Sequence, residues 1–393
     1  MILAAILFGG ILTMWVPARW ALSAFHVALF AFAILRIARR IRSERPLGWH
    51  PVALLLVAAV LWGPLQIAAH RSVYEWRTWQ ASLDWLANLA AFSLALELAG
   101  SRREWFLRAT LLFAFLLSIV AAFTVFTSPI GKVFWWFSAD APVPSLGPFV
   151  YRNQYAAFIE AILPFAIVQS IRGRRRSIVY LGMAAAMFAS VVAGGSRTGS
   201  ILCLAEILAV PMIAFWRKLI PGRVLIRALG ASIAAIAIFT AVVGWQSIWN
   251  RLQEPNPYSL RAELVRSSLE MIRDRPIAGF GLGTWSDVYP AYARFDDGRF
   301  VNQAHNDWVQ WAAEGGIPFF LILVAIALWT VRPALRSLWG IGMLVVFVHC
   351  LVDYPMQQRP ALAAFFFAML GLVTANENPN SARLFARKRN SSA

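Results

Sequence analysis

His305, Asn306 and Asp307 stand at the centre of a polar stretch, GFGLGTWSDVYPAYARFDDGRFVNQAHNDWVQWAAEGGIPFF (Gly279–Phe320), in a chain that is otherwise almost continuously apolar. Histidine titrates near neutrality and can take a proton from an attacking hydroxyl, so His305 is the candidate general base. The plainer role for such a residue is a loop histidine that hydrogen-bonds the backbone. Arginines recur at loop edges: Arg152 in FVYRNQYA, Arg197 in GGSRTGS, and Arg261, Arg266, Arg273 and Arg275 in the longest loop. A guanidinium stays protonated and its planar fork matches a phosphate, so these positions suit an anionic ligand. Headgroup snorkelling or pairing with a loop carboxylate is the alternative. Arg197 stands out because its short Gly-Ser turn also offers backbone N–H donors. His349 and Asp353 are one helical turn apart, which puts them on a shared face where they could bond each other and fix helix packing rather than perform chemistry.

Other chemistries lack their residues. There is no HExxH spacing, Cys/His cluster or P-loop, and Gly279–Gly283 lacks the strand-then-helix context of a dinucleotide fold. Neither a metal nor a cofactor is expected. The two cysteines, Cys203 and Cys350, fall in apolar segments and imply no disulfide framework.

The elements that position these residues follow from composition. Sixty per cent of the 393 residues are hydrophobic and 18 are tryptophan, far more than a soluble core of this size uses. The expected fold is an all-α polytopic membrane protein embedded in a lipid bilayer. About twelve transmembrane helices are expected, near 1–16, 20–38, 51–69, 81–99, 105–127, 154–171, 177–194, 199–216, 224–244, 315–331, 336–354 and 361–376. Met1–Trp15 has no basic segment before its apolar run and is taken as a retained first span. The formal charge of +17 does not point to nucleic acid, because the basic residues cluster between apolar spans, as the positive-inside rule demands. Arg36, Arg39, Arg40, Arg42 and Arg45 follow the second span, Arg102 and Arg103 the fourth, and Arg172, Arg174, Arg175 and Arg176 the sixth. Arg217, Lys218 and Arg223 follow the eighth, Arg332 and Arg336 the tenth, and Arg383, Arg387, Lys388 and Arg389 fill the tail. Every even-numbered exit is basic, which places both termini in the cytoplasm and the loop 245–314 on the opposite face. Within that loop Ser259–Asp274 reads as an amphipathic helix ending before Arg275-Pro276.

Several ordered blocks then resemble the O-antigen ligase and polymerase family of bacterial integral membrane glycosyltransferases. They are GPFVYRNQYAAFIEAILP (Gly147–Pro164), GGSRTGS (Gly194–Ser200), RAELVRSSLEMIRDRPIAGFGLGTW (Arg261–Trp285), AHNDWVQWAAEGGIPFF (Ala304–Phe320) and HCLVDYPMQQRPALAAFF (His349–Phe367). Order and spacing agree over roughly residues 145–370. The resemblance divides the chain into N-terminal helices (1–144), a ligase-like core (145–376) and a basic tail (377–393). It implies a C-type-glycosyltransferase-like fold in the bacterial inner membrane. A glycan would move there from a polyprenyl-diphosphate donor to a saccharide, lipid or protein acceptor on the periplasmic face. By matching position it also implies that Arg197 and Arg261 bind the donor pyrophosphate and that His305 acts as base or acceptor-positioning group. Arg152, Asn153, Asn306, Glu314, His349 and Asp353 would support them. A transporter or flippase of lipid-linked glycans is the alternative, expected to carry ionisable groups deep in its spans.

Overall fold

The structure is a computed structural model that describes residues 1–44, 50–98, 100–139, 144–172, 176–243, 249, 253, 259–295, 298 and 300–375. Arg45, Arg174, Arg175 and the tail 377–393 lie outside the described residues, as does most of 244–258. Among the described residues the chain is all-α apart from one short hairpin, β1 (Lys132–Val133) with β2 (Phe137–Ser138). Its helices are α1 (Ile2–Thr13), α2 (Arg19–Arg42), α3 (Pro51–Ala68), α4 (Glu75–Leu96), α5 (Gly100–Thr127), α6 (Arg152–Glu160), α7 (Leu163–Ile171), α8 (Ser177–Ala193), α9 (Arg197–Trp216) and α10 (Gly222–Val243). Then follow α11 (Ser259–Asp274), α12 (Trp285–Val288) with a 3-10 turn, α13 (Asp307–Ser337), α14 (Ile341–His349) and α15 (Pro360–Thr374).

Six of these are long and apolar enough to cross a membrane, counting α6 and α7 as one, and three shorter apolar helices accompany them among the described residues. Outward faces carry large apolar side chains in the open, among them Val27, Ile34, Phe123, Ile178, Ile233 and Leu328. A soluble protein would bury such surface, whereas lipid accepts it. The protein is therefore an all-α polytopic membrane protein. The interior belongs to the α6–α7 segment, 94% buried, and to α15, whose residues are buried along nearly its whole length.

Three expected boundaries move. The span expected at 154–171 bends after Glu160 into α6 and α7. The helix expected to begin near 315 begins at Asp307, because Asn306 caps it, its Oδ1 accepting from Val309 N at 3.1 Å. The span expected to reach 354 stops at His349, so Asp353 sits in the following non-helical segment. The amphipathic helix expected at Ser259–Asp274 forms over those residues.

Contacts sort the connections to two ends of the bundle. At one end Arg36 and Arg40 of α2 pair with Glu97 after α4, and Arg217 donates to Leu335 O. At the other end Arg359 donates to Met14 O, Val73 N to Phe280 O and Tyr151 to Asp353. The second end holds the polar stretch.

The break inside α13 explains how the glycine-rich run is held. Gly316 takes φ 75°, which interrupts the helix and releases the carbonyls before it. Gly281 N donates to Glu314 O at 2.9 Å, Phe280 N to Ala313 O at 3.2 Å, and Ile317 N to Pro276 O at 2.7 Å. The released carbonyls and the loop amides thus satisfy one another. A Cβ at Gly279, where φ is 65°, would lie 2.3 Å from Glu314 O, so only glycine fits this approach.

Candidate active site

Asp353 is fully buried and gathers the site. Arg261 Nη2 donates to its Oδ2 at 2.8 Å, while Nη1 donates to Val352 O at 2.8 Å. The Tyr151 hydroxyl donates to the carboxylate, 3.0 Å from each oxygen, and Asn153 Nδ2 donates to Oδ2. His305 Nδ1 lies 3.6 Å from Oδ1 and 3.5 Å from the Tyr151 hydroxyl. The His305 ring is held edge-on to Tyr354, 4.8 Å between centroids, and Tyr354 stacks on Tyr151 at 4.8 Å.

The partners of Asp353 arrive from helix starts. Tyr151 and Asn153 flank the first residue of α6, Arg261 is in the first turn of α11, and Asn306 caps α13. Ser196 caps α9 by accepting from Gly199 N at 3.1 Å and donates its own proton to Asn153 Oδ1 at 2.7 Å. Arg197, the first residue of α9, follows Ser196 directly in the chain. Four helix N-termini thus converge, and each brings partial positive charge. His305 holds φ 52°, a conformation unusual for a side chain with a Cβ and costing on the order of 1–3 kcal/mol. Asn306 Nδ2 secures the strained turn by donating to Leu351 O at 2.7 Å, and Asp307 Oδ2 accepts from Met356 N at 3.0 Å.

Burial by itself raises an aspartate's pKa, but at Asp353 the His305 imidazole and the Arg261 charge overcome it, with His349 adding to them. Its carboxyl is held at about 2, so it is a permanent anion. Burial and that anion push the Tyr151 hydroxyl well above the ordinary phenol range, which keeps it a donor. With Nδ1 turned to Asp353, the neutral ring of His305 carries its lone pair on Nε2. The site can therefore accept a proton at His305 and attract an anion through its arginines.

Not every expected residue joins. His349 bonds not Asp353 but Glu160: its Nδ1 lies 2.9 Å from Glu160 Oε1, with both side chains buried. Asp353 lies beyond the end of α14, which turns its side chain toward Arg261 rather than along the helix. Glu314 braces the glycine-rich run, its Oε2 accepting from Gly283 N at 2.9 Å and Oε1 from Trp285 N at 3.3 Å. Arg266 pairs with Glu263, and Arg275 stacks on Phe280 at 4.5 Å. Arg152 begins α6 and is half-buried. Tyr151, Ser196 and Tyr354 were not singled out from sequence, although each adjoins a block residue that was.

A family model described as O-antigen ligase matches residues 182–324. This stretch of the chain is similar to the O-antigen ligase family. The O-antigen ligase match runs from α8 into α13 and contains Arg197, Arg261, His305 and Glu314, whereas Tyr151, Asn153, His349 and Asp353 lie outside it. No curated protein matches the chain. The match supports O-antigen ligase-like membrane glycosyl transfer in general terms.

Proposed function

We propose that the protein moves a glycan from a polyprenyl-diphosphate carrier to a hydroxyl acceptor on the periplasmic face of the inner membrane. The observation that carries this reading is the gathering of Arg261, His305, Tyr151 and Asn153 on the buried carboxylate of Asp353, with Arg197 one hydrogen-bonded residue away. In this reading Arg197 and Arg261 hold the donor diphosphate, and with the helix N-termini they stabilise the charge that builds as it leaves. His305 Nε2 takes the proton of the attacking hydroxyl while Asp353 steadies the imidazolium that forms. Asp353 also fixes Arg261 in place through Nη2. The basic residues at the opposite end of the bundle support both termini in the cytoplasm and the site outside.

One observation favours transport of the lipid-linked glycan instead. Glu160, His349 and Glu206 are buried within or at the end of apolar helices, and neither oxygen of Glu206 has a hydrogen-bond partner among the described residues. Intramembrane ionisable groups of this kind mark pathways in transporters. Purified protein in vesicles with a labelled polyprenyl-diphosphate glycan decides between the two. Transfer of label to a second molecule, lost in His305→Ala, is the expected result. Movement across the bilayer with no change of carrier supports the transporter.

A further inference from the structure

Where the end of α3 meets the end of α11, the outer surface changes from apolar to cationic within a few residues. On α3, Leu54, Leu61 and Leu65 stand in the open at i, i+7 and i+11, and on α13 Ile317, Leu321 and Leu328 do so at i, i+4 and i+11, so each helix shows one apolar ridge to the bilayer. The two helices pack together, Trp62 against Phe319. Ile277 continues that surface. It is 74% exposed, and Ile317 N donates to the carbonyl of the residue before it, Pro276, at 2.7 Å. An isoleucine this open at the head of a lipid-facing ridge is stable where lipid covers it.

Arginines border the isoleucine. Arg71, Arg273 and Arg275 are all exposed, and Arg275 Nη1 donates to Arg71 O at 3.3 Å, which ties the end of α3 to the end of α11. Among the described residues the side chains of Arg71 and Arg273 make no hydrogen bond or ion pair. The carboxylates beside Arg273 and Arg275 are engaged elsewhere, Glu270 with Arg294 and Asp274 with the Tyr292 hydroxyl at 2.6 Å. Close in the chain that leaves Glu75, in the first turn of α4, against three guanidiniums.

An apolar ridge topped by unpaired cations matches the interface of a bilayer that carries anionic headgroups. Long basic side chains reach the phosphates there, while an apolar neighbour enters the acyl boundary. A protein partner would have to leave the α3 and α13 ridges, which run on without a break, to lipid. We infer that Arg71, Arg273, Arg275 and Ile277 form a docking rim for the phosphodiester of an anionic phospholipid, which holds the end of α11 and the glycine-rich run against the membrane surface. Such a rim depends on the chain spanning a membrane and not on glycan transfer.

The test places p-benzoylphenylalanine at Ile277 of the full-length protein in vesicles of phosphatidylcholine and phosphatidylglycerol, and reads the crosslinked lipid by mass spectrometry. The same probe at Leu328, exposed further along the α13 ridge, is the control. Phosphatidylglycerol should be captured at 277 several-fold above its share of the bilayer, and at 328 in proportion to it. An arginine near an anionic surface contributes about fivefold to binding, so Arg71→Gln with Arg273→Gln, which breaks no contact of either guanidinium, should remove the enrichment. Arg266→Gln, at a residue already paired with Glu263, should keep it. Salt at about 1 M should suppress it. No lipid adduct at 277, capture in proportion to the bilayer, or an enrichment that survives the double substitution overturns the rim. So does preferential capture of an added polyprenyl phosphate over phosphatidylglycerol, which assigns these arginines to a donor lipid instead.

Discussion

At the scale of single residues the assignment rests on charge and proton position, and three outcomes check it. His305→Ala should leave the protein folded and inserted but cost about 10²–10⁴ in transfer rate, the usual loss when a general base is removed. Near-normal transfer at matched expression sinks the assignment. For the arginines, Arg261 uses two nitrogens at once, on Asp353 and on Val352 O, which lysine cannot reproduce. Arg261→Lys and Arg197→Lys should therefore each lose much of the activity, and the alanine variants nearly all of it. Arg152→Lys should be tolerated, and the Arg197/Arg261 double variant should cost less than the two singles added together, since both act on one ligand. Full activity in both lysine variants with loss at Arg152→Lys puts the diphosphate elsewhere. Asp353 sets a pH dependence whose sign follows from its depressed carboxyl. Held at about 2 against an ordinary 3.8, it stabilises the fold above about pH 4, and that contribution disappears as pH falls toward 2. Thermal unfolding in detergent should show Asp353→Asn less stable than wild type by a constant margin from pH 8 to 5. The margin should narrow below 4, and a margin that grows on acidification contradicts the assigned charge.

At the scale of elements, the break in α13 and the glycine-rich run form one joint. Gly316→Ala would place a Cβ 2.2 Å from Ile277 O at a φ of 75°, and Gly279→Ala 2.3 Å from Glu314 O. Both should lower the thermal midpoint sharply and expose the 276–292 segment to protease, as strained backbone sites do. Gly9→Ala, with nothing within 4 Å of the added Cβ, should change neither. This joint also shows what sequence reveals. The glycines of GFGLG announce tight turns, and the Ser259–Asp274 helix is readable from its periodicity, because both are local. That the run lies on a broken helix is not readable, since the break depends on Pro276 O meeting Ile317 N across the chain. His305 and Arg261 were legible as chemistry for the same reason, by type and local setting. Tyr151 was not, because only the fold brings a phenol from before α6 to a carboxylate after α14. His349 was misassigned by helical spacing alone, which ignored where α14 ends and Glu160 on the neighbouring helix.

At the scale of the whole molecule, the two-ended arrangement makes a topological prediction. Both native cysteines are buried, so the chain offers almost no background to a thiol reagent. Leu269→Cys, at an exposed position on α11, should label with a membrane-impermeant maleimide in cells whose outer membrane alone is permeabilised. Labelling only after the inner membrane is lysed inverts the orientation. The order in which the ribosome releases the site has its own outcome. Tyr151, Asn153, Arg197, Arg261 and His305 all emerge before Asp353, the carboxylate on which they meet. A chain that ends before residue 353 therefore lacks the carboxylate on which these side chains meet, and in the proposed reading it has no assembled centre. The only carboxylate among these residues is thus the one the ribosome releases last.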